Sequence, residues 1–367
     1  MRILYLIDPD WRWIKQRHQF LAEHLAHRHS VLVMYRRHPR REIFPLNRSP
    51  VRRLPILPVP LRWAGRRVAV IRKLWITLVA AFFRPDVLWL TDALMYSYLP
   101  ARLRRLPIIY DCSDDHLCWE MDLSTIQAIA AAEERLVGRA AKVLCTSQHL
   151  QNRLIERYHV RRDDHVLLVR NGFSEEWLRR AGDDRGAART CDDRRVVDLV
   201  YFGALLEWID IESLVYCLDE IDHLRIHLIG PVELPPVRHD RLVYHGAVEH
   251  DALPGYVRSF HAFVLPFRLS PLIEAVDPIK LYEYLALEKE VFAVFYEEIR
   301  RFCPYVHFYR SAQELCQLMG RFRAGTLERK SRPELTREFL RENTWAVRAK
   351  AVESVLRTIA RSSPKAG

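Results

Sequence analysis

The feature that most constrains the fold is an alternation of short apolar runs with longer stretches of helical character. Apolar runs of four to six residues are typical of strands buried on both faces. Strands that alternate with helices in this way indicate an α/β protein with a doubly wound parallel sheet. In the first half we predict strands at 2–7, 31–35, 87–90, 107–110, 142–146 and 166–169, and helices at 15–27, 63–83 and 125–139.

The alternation restarts after a polar and charged stretch over 181–195, which predicts a linker. A chain of 367 residues has the length of two domains. We therefore predict domains over 1–180 and 196–340, a helix over 341–360 and a disordered tail over 361–367. The second domain has predicted strands at 197–202, 224–229, 242–244, 262–265 and 291–294, and predicted helices at 211–218, 252–259, 312–322 and 333–360.

Composition narrows the class of protein. A hydrophobic fraction of 49% with 28% charged residues is ordinary for a soluble globular chain. The seven cysteines are odd in number and lack metal-site spacing, so we expect reduced thiols and no zinc. The longest apolar stretch, 74–83, is about half of what a membrane-spanning helix needs. No signal-peptide pattern opens the sequence, and we expect a cytoplasmic protein.

Positive charge is concentrated near the N-terminus. Residues 36–84 contain 13 basic residues and one acidic residue, Glu42, interleaved with Trp, Leu, Ile and Phe. Three interpretations are open: a nucleic-acid-binding face, a solvated surface, and adsorption to an anionic membrane. Arginines beside apolar residues in a helix over 63–83 favour an interfacial segment. We expect peripheral membrane binding, and no nucleic-acid partner because no nucleic-acid-binding motif accompanies the charge.

The segment 277–286 (DPIKLYEYLA) carries the clearest chemical pattern. Asp277 is a predicted N-cap, and Pro278 suits the first turn of a helix. Lys280 and Glu283 then lie three residues apart on one helical face. A helix N-terminus with a lysine suits a phosphate, and a carboxylate one turn later suits ribose hydroxyls. The pattern fits a nucleoside diphosphate; the alternative is an amphipathic helix with an exposed ion pair.

Other candidates follow predicted strands. Gly203 permits close approach of the backbone to a phosphate, or simply forms a tight turn. No complete G-x-G-x-x-G motif is present, so a nicotinamide site has little support. Asp8 and Asp10 spell the D-x-D motif of metal-dependent transferases, but both suit an ordinary turn, and we expect no metal.

A crowded acidic loop and an aromatic segment complete the set. Asp111, Asp114, Asp115 and His116 follow one predicted strand and can provide a general base or an acceptor-binding carboxylate. The alternative is that Asp111 caps a helix and the others are solvated. Arg17 and His18 open a helix beside Trp11 and Trp13, a combination that suits a sugar or a lipid phosphate, or plain surface packing.

Motifs spread along most of the chain resemble those of bacterial GT-B glycosyltransferases of the family-4 type. Each motif is short, and their shared order makes the resemblance specific. The motifs are Trp13 with Gln16-Arg17-His18-Gln19, Tyr110 to Asp115, Thr146-Ser147, Arg170-Asn171-Gly172, Tyr201 to Ala204 with Glu207 to Asp210, Ile229-Gly230-Pro231, Pro266-Phe267-Arg268 with the run from Asp277 to Ala286, and Asn343-Thr344-Trp345.

The resemblance implies two Rossmann-like domains facing across a cleft, with the C-terminal helix packed on the N-terminal domain. It implies transfer of a sugar from a nucleotide diphosphate sugar to a lipid-linked or polysaccharide acceptor, without a cofactor or metal. A nucleotide-sugar epimerase, a phosphorylase and a non-catalytic binding subunit are the alternatives. The implied residues are Asp114, His116 and Asp115 for catalysis; Gly203, Gly230, Arg268, Glu274, Asp277, Lys280, Tyr282 and Glu283 for the nucleotide sugar; and Trp13, Arg17 and His18 for the acceptor.

The chain departs from the family pattern at two places. The first glutamate of an E-x7-E element that ends at Glu283 is replaced by Ala275, with Glu274 one position away. This places the usual contact with the donor sugar in question. The second departure is Glu288-Lys289-Glu290, where the related sequences favour Gly-Lys-Pro, and we expect it to alter the turn into the next strand.

Overall fold

A computed structural model describes residues 1–38, 49–56, 65–160, 164–177 and 196–362. The chain divides into two compact units, which are described separately. Unit 1 is Met1–Arg170 with Trp345–Gly367, and unit 2 is Asn171–Thr344. The division falls at residue 170 rather than at 180, and the linker predicted over 181–195 lies outside the described residues, as does the tail from 363.

Unit 1 is built around a parallel sheet of seven described strands in the order β3-β2-β1-β4-β5-β6-β7. Its central strands are buried along almost their whole length, because helices cover both faces of such a sheet. The elements are β1 (Arg2–Ile7), α1 (Arg17–Ala26), β2 (Ser30–Tyr35), β3 (Arg52–Pro55), α2 (Gly65–Phe83), β4 (Val87–Leu90), α3 (Ala93–Tyr98), β5 (Ile108–Cys112), α4 (Leu123–Arg139), β6 (Lys142–Cys145), α5 (Gln148–Arg157) and β7 (Val166–Leu168).

Unit 2 repeats the same architecture with six described parallel strands in the order β10-β9-β8-β11-β12-β13. One apolar cluster, which includes Phe202, Phe263 and Tyr284, forms its core. The elements are β8 (Val197–Phe202), α6 (Ile211–Glu220), β9 (Leu224–Ile229), β10 (Leu242–Gly246), α7 (Leu253–Tyr256), β11 (Ala262–Leu265), α8 (Pro271–Glu274), α9 (Ile279–Ala286), β12 (Glu290–Val294), β13 (His307–Tyr309), α10 (Ala312–Arg323) and α11 (Pro333–Glu342).

The last helix, α12 (Trp345–Ser362), belongs to unit 1. The indole of Trp345 stacks on Phe20 of α1 with 5.0 Å between ring centroids. Arg28, just beyond α1, forms an ion pair of 2.8 Å with Glu353. These contacts confirm that the C-terminal helix packs on the N-terminal domain. Among the helices of the described residues, none is long and apolar enough to cross a membrane.

The structure corrects several local predictions. Helices α3 and α5 and strand β13 were not predicted; α5 buries only Leu150 and Leu154, so its sequence carries little apolar signal. Asp277 is not an N-cap, because helix α9 begins at Ile279 with Pro278 at the N-cap position and without a side-chain cap. The turn that leads into β12 has Glu288 at a φ of +56°, a conformation that favours glycine. Arg337 Nε donates to Glu288 over 2.8 Å and holds this turn.

Candidate functional site

Two glycines bring a lysine to the carboxyl edge of the unit-2 sheet, where ligands bind in sheets of this kind. Gly203 follows β8 and Gly230 follows β9, and both have a φ of +144°. A Cβ atom on Gly203 would lie 1.9 Å from Cε and 2.7 Å from Nζ of Lys280. The Gly203 N–H already donates to the carbonyl of Ile229 over 2.8 Å. Gly203 therefore makes room for the Lys280 side chain rather than presenting a free amide to a phosphate.

The ammonium group of Lys280 is the positive charge closest to the turn that follows Gly203. Within the described residues, no carboxylate lies within ion-pair distance of its Nζ atom. Burial lowers the pKa of Lys280, and the charge of Glu283 only partly opposes that effect. A half-buried, unpaired lysine at a sheet edge is a favourable partner for a diphosphate.

Gly230 supports the same turn. A Cβ atom at this position would lie 1.9 Å from the carbonyl oxygen of Gly203, a backbone atom that cannot swing aside. The Gly230 N–H donates to the carbonyl of Gly246 over 2.7 Å. The turns after β8 and β9 are thus packed directly on each other.

We expect Gly230→Ala to destabilise unit 2. A strained backbone costs about 1–3 kcal/mol, and the clash with Gly203 adds to that cost. Urea denaturation should therefore show a clear fall in the free energy of unfolding. Gly255→Ala is the matched control, because a Cβ atom there meets nothing within 4 Å. Equal stability of the two variants would contradict the close packing of the two turns.

Glu283 is held by residues that the sequence did not point to. His250 Nε2 and Glu283 Oε1 are 2.8 Å apart, and Trp177 Nε1 donates to His250 Nδ1 over 3.4 Å. Because a carboxylate oxygen can only accept, His250 donates from Nε2 to Glu283, and Asp251 Oδ1 lies 3.5 Å from His250 Nδ1. The other carboxylate oxygen, Oε2, has no hydrogen-bond partner among the described residues. Glu283 is 7% exposed, more than Asp277 at 2%, and it is oriented through one oxygen, so that the other can accept from a ligand hydroxyl.

Two predicted nucleotide contacts are buried inside unit 2. The carboxylate of Asp277 accepts hydrogen bonds from the Asn171 N–H over 2.7 Å, from Tyr282 Oη over 3.2 Å, and from Arg301. Asp277 is 2% exposed and Tyr282 is fully buried. Their contacts give both residues a structural role, and their burial disfavours direct contact with a nucleotide.

The remaining residues predicted to bind the nucleotide sugar, Arg268 and Glu274, are exposed. Arg268 Nη2 lies 3.5 Å from Glu212 Oε2, an exposed pair of the kind that contributes little to stability. Glu274 ends helix α8, and the neighbouring Ala275 is buried. Arg268 therefore remains a source of positive charge after β11, whereas no carboxylate occupies position 275.

A second cluster lies at the carboxyl edge of the unit-1 sheet. Arg36, Asp8, Asp92 and Asp114 follow β2, β1, β4 and β5, which are neighbours in the sheet. Arg36 Nη1 and Asp8 Oδ1 are 3.0 Å apart. Burial raises the pKa of Asp92, and the charge of Asp8 raises it further. Asp8 and Asp92 were not predicted as members of one cluster, because only the strand order brings them together.

Asp114 is the group in this cluster best suited to proton transfer. Burial raises the pKa of Asp114, although His116 and the hydroxyl of Ser113, 3.2 Å away, oppose the shift. A half-buried carboxyl group with a raised pKa is typical of a general base or acid. His116 lies two residues further along and is also half-buried.

Asp115 is an internal partner of two arginines. Arg153 Nη1 and Arg157 Nη2 lie 2.9 and 2.8 Å from its carboxylate, and the side chain also accepts from the N–H of Leu117. Burial raises the pKa of Asp115, but the hydrogen bonds and charges of the two arginines outweigh it and hold the pKa below its usual value. With the residue 2% exposed, this arrangement disfavours a catalytic role.

Two residues predicted to bind the acceptor substrate are also buried. Arg17 donates to both carboxylate oxygens of Asp111, with Nη2 2.9 Å from Oδ1, and to the carbonyl of Val169. His18 Nδ1 lies 3.1 Å from the hydroxyl of Tyr5, and burial lowers the pKa of His18 to about 4. Arg17 and His18 therefore stabilise unit 1 from within, and their burial disfavours contact with an acceptor.

The aromatic and acidic residues around 8–13 form a turn. Trp13 is half-buried, and its backbone N–H donates to the carbonyl of Asp10 over 3.0 Å. Arg12 Nη2 lies 2.8 Å from Asp10 Oδ2, so Asp8 and Asp10 each have an arginine partner. In the part of the chain that the structure describes, no three His, Cys, Asp or Glu side chains form a group that could hold a metal.

Part of the chain matches a known protein family. Residues 15–172 match the family model of the glycosyl transferase 4-like domain. A Bacillus subtilis (strain 168) protein, named for a role in teichuronic acid biosynthesis as the glycosyltransferase TuaH, is 25% identical over 202 residues. That alignment covers 50% of this chain and 49% of the relative, so the chain spans about half the length of the curated protein it matches.

Solved structures match over almost the whole chain. Sucrose-phosphate synthase from Thermosynechococcus elongatus has a TM-score of 0.76 at 15% identity, covering 99% of this chain and 100% of that one. HepE of Anabaena, in complex with UDP-glucose, has a TM-score of 0.71 at 14% identity, covering 98% and 100%. At these identities the likeness shows the fold, which is GT-B with two Rossmann-like domains. Together with the family model, it confirms the resemblance to family-4 glycosyltransferases.

Proposed function

We propose that this chain, a GT-B protein of the family-4 glycosyltransferase type, transfers a hexose from a nucleotide diphosphate sugar to an acceptor hydroxyl. The observation that carries the proposal is Lys280, a half-buried ammonium one helical turn from Glu283 for which the described residues supply no carboxylate partner. The separation of Lys280 and Glu283 by one helical turn suits a diphosphate and the ribose attached to it. Gly203 and Gly230 fix the turn against which Lys280 packs.

We assign uridine as the nucleoside of the donor. The support is the complex of HepE with UDP-glucose, a structure that shares the fold of this chain. In this assignment Lys280 binds the diphosphate, Arg268 adds positive charge, and the free oxygen of Glu283 accepts from ribose. His250 keeps Glu283 in position through its Nε2–H.

We assign the acceptor side of the reaction to unit 1, with Asp114 as the general base. The acceptor oxygen forms a bond to the anomeric carbon of the sugar, and its proton passes to the Asp114 carboxylate. The bond between the anomeric carbon and the phosphate oxygen breaks, and the nucleoside diphosphate leaves with its negative charge stabilised by Lys280. Because these residues supply the charge, we expect full activity in the presence of a metal chelator.

A ligand panel with the purified protein tests the donor assignment. A ligand at a hundred times its dissociation constant adds about 2.7 kcal/mol of stability, so UDP and UDP-sugars should raise the melting temperature. ADP and GDP should have smaller effects. Release of UDP from a UDP-sugar would then report turnover. No shift with any nucleotide or nucleotide sugar would remove the proposal.

One observation favours a second candidate function. Ala275 is buried where the family pattern places a glutamate, and the neighbouring Glu274 is exposed. A chain that binds the donor without turning it over would show the nucleotide-induced thermal shift but no release of UDP and no new glycosidic bond. That result would identify a non-catalytic binding subunit.

We further propose that the acceptor is a lipid-linked or polysaccharide intermediate at the cytoplasmic face of a membrane. The 13 basic residues against one acidic residue over 36–84 support attachment to anionic lipid. The relative named for teichuronic acid biosynthesis points to the same kind of product.

The membrane attachment should depend on salt. The Debye length falls from about 10 Å at 0.1 M to about 3 Å at 1 M, so co-sedimentation with phosphatidylglycerol vesicles should weaken over that range. Exposed apolar residues should preserve some binding at high salt. Absence of pelleting with anionic vesicles at low salt would contradict the attachment.

A further inference from the structure

An apolar groove opens at the edge of the unit-1 sheet, between strand β3 and helix α2. Its volume is about 530 Å³, within the range of about 300–1,000 Å³ that is typical of small-molecule sites. Strand β3 is the edge strand among the described strands of the sheet, and Trp75 of α2 donates its indole N–H to the carbonyl of Pro55 over 3.1 Å. The groove is lined by Leu32, Arg52, Arg53, Leu54, Trp75, Leu78, Val79, Phe82 and Phe83.

Helix α2 carries a stripe of exposed apolar side chains beside this groove. Ile71, Leu74, Leu78 and Phe82 are spaced by three or four residues and therefore share one helical face. Leu74 is 63% exposed and Phe82 is 83% exposed. Monomeric soluble proteins rarely expose large contiguous apolar patches without a binding partner. This face of α2 is therefore suited to an apolar partner.

The rim of the groove is basic. Arg52 is exposed, and the Nη1 atom of Arg53 is buried without a hydrogen-bond partner in the described structure. The partner that matches this surface has an apolar chain and an anionic head next to it.

We propose that the groove between β3 and α2 binds one acyl chain of an anionic bilayer phospholipid, with the lipid phosphate at Arg52 and Arg53. The exposed stripe of Leu74, Leu78 and Phe82 then enters the acyl region around that chain. The proposal rests on the membrane attachment proposed above, but it does not depend on sugar transfer. The proposed lipid site lies at strand β3, apart from the carboxyl end of β5 where Asp114 lies.

Replacing basic residues with acidic ones would weaken both binding in the groove and simple electrostatic adsorption. The test therefore adds a positive charge, which affects the two in opposite directions. In Leu78→Arg a basic residue replaces a groove side chain that is 49% exposed. A groove that holds an acyl chain predicts at least a tenfold weaker partition into phosphatidylglycerol vesicles. Adsorption by charge alone predicts equal or tighter partition and would overturn the proposal. Leu335→Arg is the matched control, because Leu335 is 48% exposed on α11 of unit 2.

Fluorescence quenching by brominated lipid shows whether the acyl chain lies in the groove. Trp75 lines the groove, and the difference between the full chain and Trp75→Phe isolates its fluorescence among nine tryptophans. Phosphatidylglycerol brominated on the acyl chain should quench the Trp75 component. Vesicle binding without quenching of Trp75 would overturn the groove while leaving the membrane attachment in place.

Two further comparisons make each outcome decisive. Equal binding to phosphatidylcholine vesicles would contradict the requirement for an anionic head group. Binding that appears only after addition of a polyprenyl phosphate would assign the groove to a lipid-linked acceptor instead. UDP affinity, measured by calorimetry on Leu78→Arg, should equal that of the unaltered chain. Failure of the lipid site is thereby distinguished from failure of the proposed transfer reaction, which depends on unit 2 for its donor.

Discussion

Replacing Lys280 with alanine is expected to weaken UDP binding about 10- to 150-fold, with little effect on folding. A hydrogen bond to a charged group is worth about 1.5–3 kcal/mol, and about 1.4 kcal/mol corresponds to a factor of ten. The folded protein should not suffer, because the Lys280 ammonium has no ion-pair partner within the described residues. Calorimetry with UDP gives the affinity, and urea denaturation gives the free energy of unfolding.

The control and a second variant sharpen this expectation. Lys350→Ala removes an exposed lysine from α12 of unit 1 and should leave the affinity unchanged. Glu283→Ala should also weaken UDP binding, by loss of the ribose contact. Wild-type affinity in both Lys280→Ala and Glu283→Ala would remove this site.

The pH dependence of binding follows from the same lysine. Burial lowers the pKa of Lys280, so the ammonium loses its proton at a lower pH than an exposed lysine does. UDP binding should therefore be strong below that pKa and weaken as the pH rises through it. In Lys280→Ala this alkaline loss of affinity should disappear.

Replacing Asp114 with asparagine is expected to lower turnover by about 10²–10⁴-fold while UDP affinity stays the same. General acid–base groups typically contribute rate factors of that size. Asn has nearly the same shape as Asp, and the half-buried Asp114 has no ion pair within the described residues, so the fold should tolerate the change. Steady-state release of UDP from a UDP-sugar, with calorimetry alongside, measures the two quantities separately.

The pH profile gives a readout that a purely structural role would not move. A base must be ionised, and burial raises the pKa of Asp114. Activity should therefore fall as the pH drops through this raised pKa, at a higher pH than for an ordinary aspartate. In Asp114→Asn the residual activity should lose this acid limb. An unchanged rate and profile would exclude Asp114 as the base and direct attention to Asp92 or His116.

Much of the fold could be predicted from the sequence, because each buried parallel strand is a short, continuous apolar run. The strands at 87–90, 197–202, 224–229 and 262–265 were predicted with the bounds that the structure shows. Helix α5 was missed because only Leu150 and Leu154 of its ten residues are buried. Pattern recognition thus succeeds where burial is continuous and fails where a helix is mostly solvated.

The site was only partly predictable, for topological reasons. The placement of Lys280 and Glu283 on one helical face follows from their spacing within one segment, so the sequence shows it. The contact of Gly203 with Lys280, and that of His250 with Glu283, join residues on different elements. No local pattern reports such contacts.

Motifs also do not separate exposed residues from buried ones. Asp115 and Arg17 match the family motifs as well as Asp114 does, yet both are buried in ion pairs. Asp277 matches its motif and likewise bonds internal partners, Asn171 and Arg301. A motif therefore locates a segment, and only the packing around it decides which side chain is available to a ligand.

A crystal structure of the protein with UDP bound tests the nucleotide site most directly. We predict that the diphosphate lies within hydrogen-bonding distance of Lys280 Nζ, beside the Gly203 turn, and that the ribose hydroxyls donate to Glu283 while His250 keeps its bond to the other oxygen. UDP bound elsewhere, with Lys280 and Glu283 both free of contact to it, would contradict the assignment of Lys280 and Glu283 to the nucleotide site.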